Sequence, residues 1–187
     1  MKTSLTWIVA ALLAALPAAA ADVAGHATVT IAPPGLVLVR DTSLSFGTIA
    51  SSANPGSVTI APDASMSSTG GVAVVTNGFP AQFTASSTAK ANQFFWIQVP
   101  NDTTIALTRL GFPAPALRVR AFTVSVNVTD PQCVVQSGGA APPKSAKCPS
   151  VKEGVAFTFQ VGGTLDVPGS APSGIYTGTF DVTINRQ

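Results

Sequence analysis

Residues able to carry chemistry are scarce in this chain. Its 187 residues include one histidine, one tyrosine, two cysteines and a single glutamate, Glu153. General acid–base catalysis needs groups of matched pKa held within hydrogen-bond reach of one another. Here His26 stands alone, Glu153 sits beside Lys152, and the aspartates, Asp41, Asp63 and Asp130 among them, lie next to small or turn-forming residues where they bond nearby backbone amides. No Ser-His-Asp arrangement, phosphate-binding loop or metal-ligand spacing is present. The expectation is a protein that is not an enzyme and uses no cofactor and no metal.

Charge is also scarce. Charged residues make up 10% of the chain, against about 25% in an average soluble domain. Ten Lys and Arg against eight Asp and Glu leave +2, and the basic residues are scattered, so no nucleic-acid partner is expected. Long apolar runs are missing too. The one candidate, "LTWIVAALLAAL" at residues 5–16, is closed by Pro17 and falls short of the roughly 20 residues that span a bilayer. With Lys2 before it and the small residues "PAAAAD" after it, the run reads as a secretion signal peptide over residues 1–21. The protein is therefore expected to be exported, passing through a periplasm to the cell surface or beyond.

A third absence is helical periodicity. Beyond the signal, the chain alternates with period two between turn formers, the mark of half-buried antiparallel strands. "SLSFGTI" sets Leu44 and Phe46 on one face, "VTIA" sets Val58 and Ile60, and "RAFTVSVNVTD" sets Phe122, Val124, Val126 and Val128. "VAFTFQVGGTLDVP" places Val155, Phe157 and Phe159 before a Gly162-Gly163 break, then Leu165 and Val167. "GIYTGTFDVTINR" gives Tyr176, Gly178, Phe180, Val182 and Ile184 one face. "SSANPGS" reads as a turn between strands, and Asn77-Gly78 as a hairpin signal. About ten such strands predict an all-β fold, an immunoglobulin-like antiparallel β-sandwich in one domain over residues 36–187.

Cys133 and Cys148 flank a Gly- and Pro-containing segment with little packing of its own. In an exported chain they are expected to form a disulfide, closing a loop of about 15 residues for roughly 3 kcal/mol. "QFFWIQVPND" gathers Phe94, Phe95 and Trp96. If Phe95 and Ile97 are buried, Phe94 and Trp96 face outward as candidate contacts for a sugar or peptide, or else they fill the sandwich.

The step "L-S-F-G-T-I", the segment "VTIAPDASMSSTGGV" and the ending "VGGTLDVPGSAPSGIYTGTFDVTIN" together resemble the DUF4402 family of exported bacterial domains, over about His26 to Asn185. The resemblance extends to spore-coat-protein-U-like and chaperone–usher pilin subunits. It implies an incomplete immunoglobulin-like fold whose missing strand is supplied by a neighbouring subunit, or by a periplasmic chaperone before an outer-membrane usher takes over. Residues 22–35 supply a candidate donor: Val23, Gly25, Ala27, Val29 and Ile31 share one parity, ahead of Pro33-Pro34-Gly35. The expected function is an exported structural subunit of a fimbrium or coat that polymerises head to tail with copies of itself by donor-strand complementation. The alternative is a self-completed secreted sandwich that binds carbohydrate or protein as an adhesin-like module. Alternation does not choose between them, because partner and register are invisible in one sequence. A segment seated beside the last strand of its own molecule favours the second.

Overall fold

A computed structural model describes residues 21–29, 36–87, 95–100, 104–127, 134–136, 145–148 and 156–186. Among them there is no helix. Twelve strands run in order: β1 (Ala21–Val29), β2 (Leu36–Thr42), β3 (Ser45–Ile60), β4 (Met66–Thr76), β5 (Ala81–Ser87), β6 (Phe95–Gln98), β7 (Ile105–Arg109), β8 (Phe112–Asn127), β9 (Val134–Gln136), β10 (Ser145–Cys148), β11 (Ala156–Val167) and β12 (Tyr176–Arg186). The fold is all-β, as the alternation requires, and its sheet curls round one core in a sandwich-like arrangement.

The apolar parities read from the sequence point inward wherever their side chains are described. Leu44, Phe46, Val58, Ile60, Phe122, Val124, Phe157, Phe159, Leu165 and Val167 are all buried. Phe159 lies opposite Phe83 in the β11–β5 ladder, and their rings stack at 5.1 Å. Phe122 meets Phe180 at 4.8 Å, tying β8 to the last strand. Such pairs add about 0.5–1.5 kcal/mol beyond the area they bury.

The ladder runs β1-β3-β11-β8-β7-β12, and β12 pairs again with β1, so these six strands form a closed circuit. β11 is the hub. Its first half pairs with β5 and its second with β3, while β8 runs along its other side. β2 and β4 extend the sheet outward from β5 and β3. β6, β10 and β9 continue it from the far end of β12.

Several punctuation marks in the sequence act differently from expectation. Gly162-Gly163 does not end a strand. β11 continues through it with a register shift between Gly162 and Thr164 against β8. A Cβ at Gly162 would lie 2.2 Å from the Ile60 carbonyl oxygen, so glycine is there for a close backbone approach rather than for a break. "SSANPGS" is a bulged stretch inside the 16-residue β3, where the register against β4 shifts between Ser51 and Gly56. Asn77-Gly78 does not close a hairpin, since β4 pairs with β3 and β5 with β2 and β11. A Cβ at Gly78 would meet the Ser45 carbonyl at 2.0 Å, and Phe79 bridges to Ser45. Each signal is a real demand for a small residue, met by a bulge or a crossing instead of a turn.

Candidate strand-exchange site

β1 occupies the seat between β3 and β12. Residues Val23–Val29 run parallel to Tyr176–Val182, with Val23 opposite Tyr176, Gly25 opposite Gly178, Ala27 opposite Phe180 and Val29 opposite Val182. Tyr176, Phe180 and Val182 are buried, and residues directly opposite one another share a face of the sheet. The proposed donor parity is therefore the one in register with the core-facing positions of β12. His26 falls on the other parity, opposite the exposed Thr179. Ile31 lies outside the described residues.

The other wall of the seat explains the "L-S-F-G" step. Val23 lies opposite Gly47 and Ala24 opposite Ser45, with a register shift between them. Leu44 and Phe46 are buried on either side of Ser45. Gly47 has φ +72°, and a Cβ there would sit 2.2 Å from the Thr76 carbonyl oxygen. Glycine alone tolerates both demands, so this step builds the bulge over which β1 enters.

β12 is held independently of β1. The buried Tyr176 donates its hydroxyl to the Pro172 carbonyl at 2.5 Å, a tether like the tyrosine corner of immunoglobulin-type sandwiches. Arg109 and Thr108 of β7 pair with Tyr176 and Thr177. A Cβ on Gly178 would meet Leu107 Cδ2 at 2.5 Å and the Ala106 oxygen at 2.8 Å, so β12 is pressed against β7 where Gly25 passes.

β1 is parallel to β12, whereas every other pairing among the described residues is antiparallel. The fold is thus completed from within. The all-β, sandwich-like fold expected from the sequence is present, with the seat between β3 and β12 filled by the molecule's own first strand.

The remaining candidates are dispersed. Trp96 lies on β6 opposite Lys147 and Asn185, its side chain outside the described part, as is Phe94. Cys148 ends β10, and Cys133, Asp130 and Glu153 lie outside the described residues. Asp63 accepts bonds from the Ser65 amide and hydroxyl, which hold its carboxyl below the usual aspartate range. Asp41 takes its bond across strands, from the Thr84 hydroxyl at 2.6 Å, rather than from a local amide. Arg120 grips Asp166 through two nitrogens, a contact that raises its own pKa. At 51% and 38% side-chain exposure the pair is a surface clasp of small energetic weight.

No group of three or more His, Cys, Asp and Glu gathers among the described residues, and no helix there is long and apolar enough to cross a membrane. A surface cleft of about 520 Å³ beside β12 is lined by Thr104, Thr108, Thr177 and Thr179 together with Ile105, Ala106 and Gly178. What this arrangement offers is backbone pairing along two ladders.

Residues 36–185 match the domain of unknown function DUF4402. The chain belongs to the DUF4402 family. The match begins at Leu36, the first residue of β2, so β1 lies outside the matched span although the sequence likeness suggested a start near His26. No curated protein and no solved structure matches the chain.

One group of residues went unnoticed in the sequence. Leu110 and Phe112 are exposed at the tip of the β7–β8 hairpin, beside Ile175. Gly111, at φ +81°, was the available signal for that turn, but Pro113 and Pro115 argue against a strand starting there.

Proposed function

We propose that this DUF4402 protein is an exported structural subunit that assembles by strand exchange, β1 of one copy taking the seat between β3 and β12 of another. The observation that carries this reading is that β1, the first strand of the described residues, alone links β3 to β12 in the closed circuit. With residues 1–21 removed as a signal peptide, the remainder of β1 becomes a terminal segment; it precedes Pro33-Pro34-Gly35, and it lies outside the family's matched span. A terminal element of this kind exchanges between identical chains at low cost, because the pairing given up within one molecule is remade in the next. A spore-coat-like or pilin-like role, with a chaperone and usher, belongs to the same proposal. The cis seating counts against a groove that stands open in the free subunit, and exchange must compete with it.

The second reading, a self-completed secreted module that binds carbohydrate or protein, is favoured by that same seating: β1 is paired with both walls of its own molecule. A crosslink separates the two. Thr28 lies opposite the exposed Asp181, so oxidation of a Thr28→Cys/Asp181→Cys variant joins the strands wherever they meet. Strand exchange gives a ladder of covalent multimers on a non-reducing gel, with the 28–181 link confirmed by mass spectrometry. A monomer carrying that link in every molecule, at every concentration tried, rejects the exchange reading and leaves the self-completed module.

A further inference from the structure

The turn between β7 and β8 exposes apolar side chains that contribute nothing to the core. Leu110, Phe112 and Ile175 are 71%, 57% and 49% exposed. They form one surface: the Leu110 amide donates to the Ile175 carbonyl at 2.8 Å, and Arg109 pairs with Phe112 across the turn and lays its guanidinium 3.7 Å from the ring centre. A cation held against an aromatic face, with aliphatic side chains projecting beyond it, suits the boundary between lipid headgroups and acyl chains.

The position of this surface says what it would meet. Ile175 immediately precedes Tyr176, which lies opposite Val23 near the start of β1. The start of β1 therefore lies beside Ile175. The apolar run of residues 5–16 ends five residues before Ala21, and five residues span at most about 17 Å. An apolar segment inserted in a bilayer would hold this end of the domain within that distance of the membrane surface.

We infer that Leu110, Phe112 and Ile175 form a lipid-contacting surface that rests on the bilayer while residues 5–16 are still attached. The inference relies on the reading of those residues as an export segment and is independent of strand exchange. Neither element is a strong anchor alone. Together they are two weak signals, which is what stable membrane attachment takes, and the short tether gives the second contact a high effective concentration. The surface would hold the newly exported domain with the starting end of β1 towards the membrane until residues 5–16 are removed.

The test uses the full 187-residue chain with phosphatidylcholine–phosphatidylglycerol vesicles carrying brominated acyl chains. A Phe112→Trp variant should show quenching beyond that of the parent chain, whose own tryptophans give the background. Equal quenching in the two chains overturns the inference. If Phe112→Trp fails to fold, Leu110→Trp gives the same readout. In vesicle flotation, Leu110→Ser/Phe112→Ser/Ile175→Ser should raise the lipid concentration for half-binding by about tenfold, while Val37→Ser/Val39→Ser, a control at the 53% and 51% exposed valines of β2, should not. Equal loss in both variants overturns the inference. So does unchanged flotation of the triple variant, including the case in which that variant only reduces self-association, which would mean that a second copy covers the surface.

Discussion

β11 and β1 are both interior strands by pairing, yet they are built from opposite materials. β11 faces the core with Phe157, Phe159, Val161, Leu165 and Val167, all buried, and has partners on both sides along its length. β1 sets Val23, Gly25, Ala27 and Val29 opposite Tyr176, Gly178, Phe180 and Val182 in a parallel ladder with the last strand. Parallel pairing is slightly weaker per residue than antiparallel, and two valines, one alanine and one glycine carry little apolar surface that could be buried. Ordering the nine residues of β1 costs about 1–2 kcal/mol each in backbone entropy, which its two ladders must offset. The expectation is that the frame around β11 carries most of the stability and that β1 adds less. An element that gains little by staying is suited to exchange.

The comparison breaks most directly by removing one side chain from the hub. Phe159→Ala deletes a fully buried ring stacked on Phe83 and should cost about 4–5 kcal/mol in urea unfolding. Deleting residues 22–32, which removes all of β1 except Ala21, should cost less, about 3 kcal/mol, and added peptide of that sequence should restore the loss by mass action. It should also abolish assembly. If the deletion is more damaging than Phe159→Ala, β1 belongs to the frame and the contrast fails. If the deleted protein is as stable as its parent and equally monomeric, the seat has no role.

Much of this contrast was legible in the sequence. The period-two pattern fixed which side of β3, β8, β11 and β12 is buried because an apolar face must be covered. The alternation of β1 was readable as well, although the register that sets Val29 opposite Val182 was not. Its partner was not, because any apolar strand edge accepts a strand of that parity, whichever molecule supplies it. Bulges were misread for a related reason. Gly47, Gly78 and Gly162 announce a close approach of backbones, but the sequence does not say whether the approaching carbonyl lies across a turn or across a ladder. The Leu110–Phe112 turn escaped notice because two prolines beyond it mimic a loop.

A smaller effect sharpens the picture at β12. Tyr176→Phe removes the hydroxyl bonded to the Pro172 carbonyl without changing the buried ring. Loss of one such bond should cost about 1–1.5 kcal/mol, seen as a lower urea midpoint at unchanged slope. Because β7 and the Pro172 tether hold this strand independently of β1, the same cost is expected in the 22–32 deletion. A much larger cost there would show that the seat relies on β1 for its own shape.

The smallest effect comes from the turn between β3 and β4. Asp63 accepts the Ser65 amide and hydroxyl, and these bonds lower its pKa from the ordinary 3.8. A carboxylate with a depressed folded-state pKa stabilises the fold above its unfolded pKa, and that contribution is lost as pH falls through the folded value. The stability difference between the parent and Asp63→Asn should therefore be constant near neutral pH and shrink as pH drops below about 4. The turn belongs to the frame and touches neither β12 nor β1, so the 22–32 deletion should show the same pH dependence at a lower overall stability. A pH dependence that disappears with β1 would mean that the frame does not hold its native turns without its closing strand, and the separation of frame from exchangeable strand would then be lost.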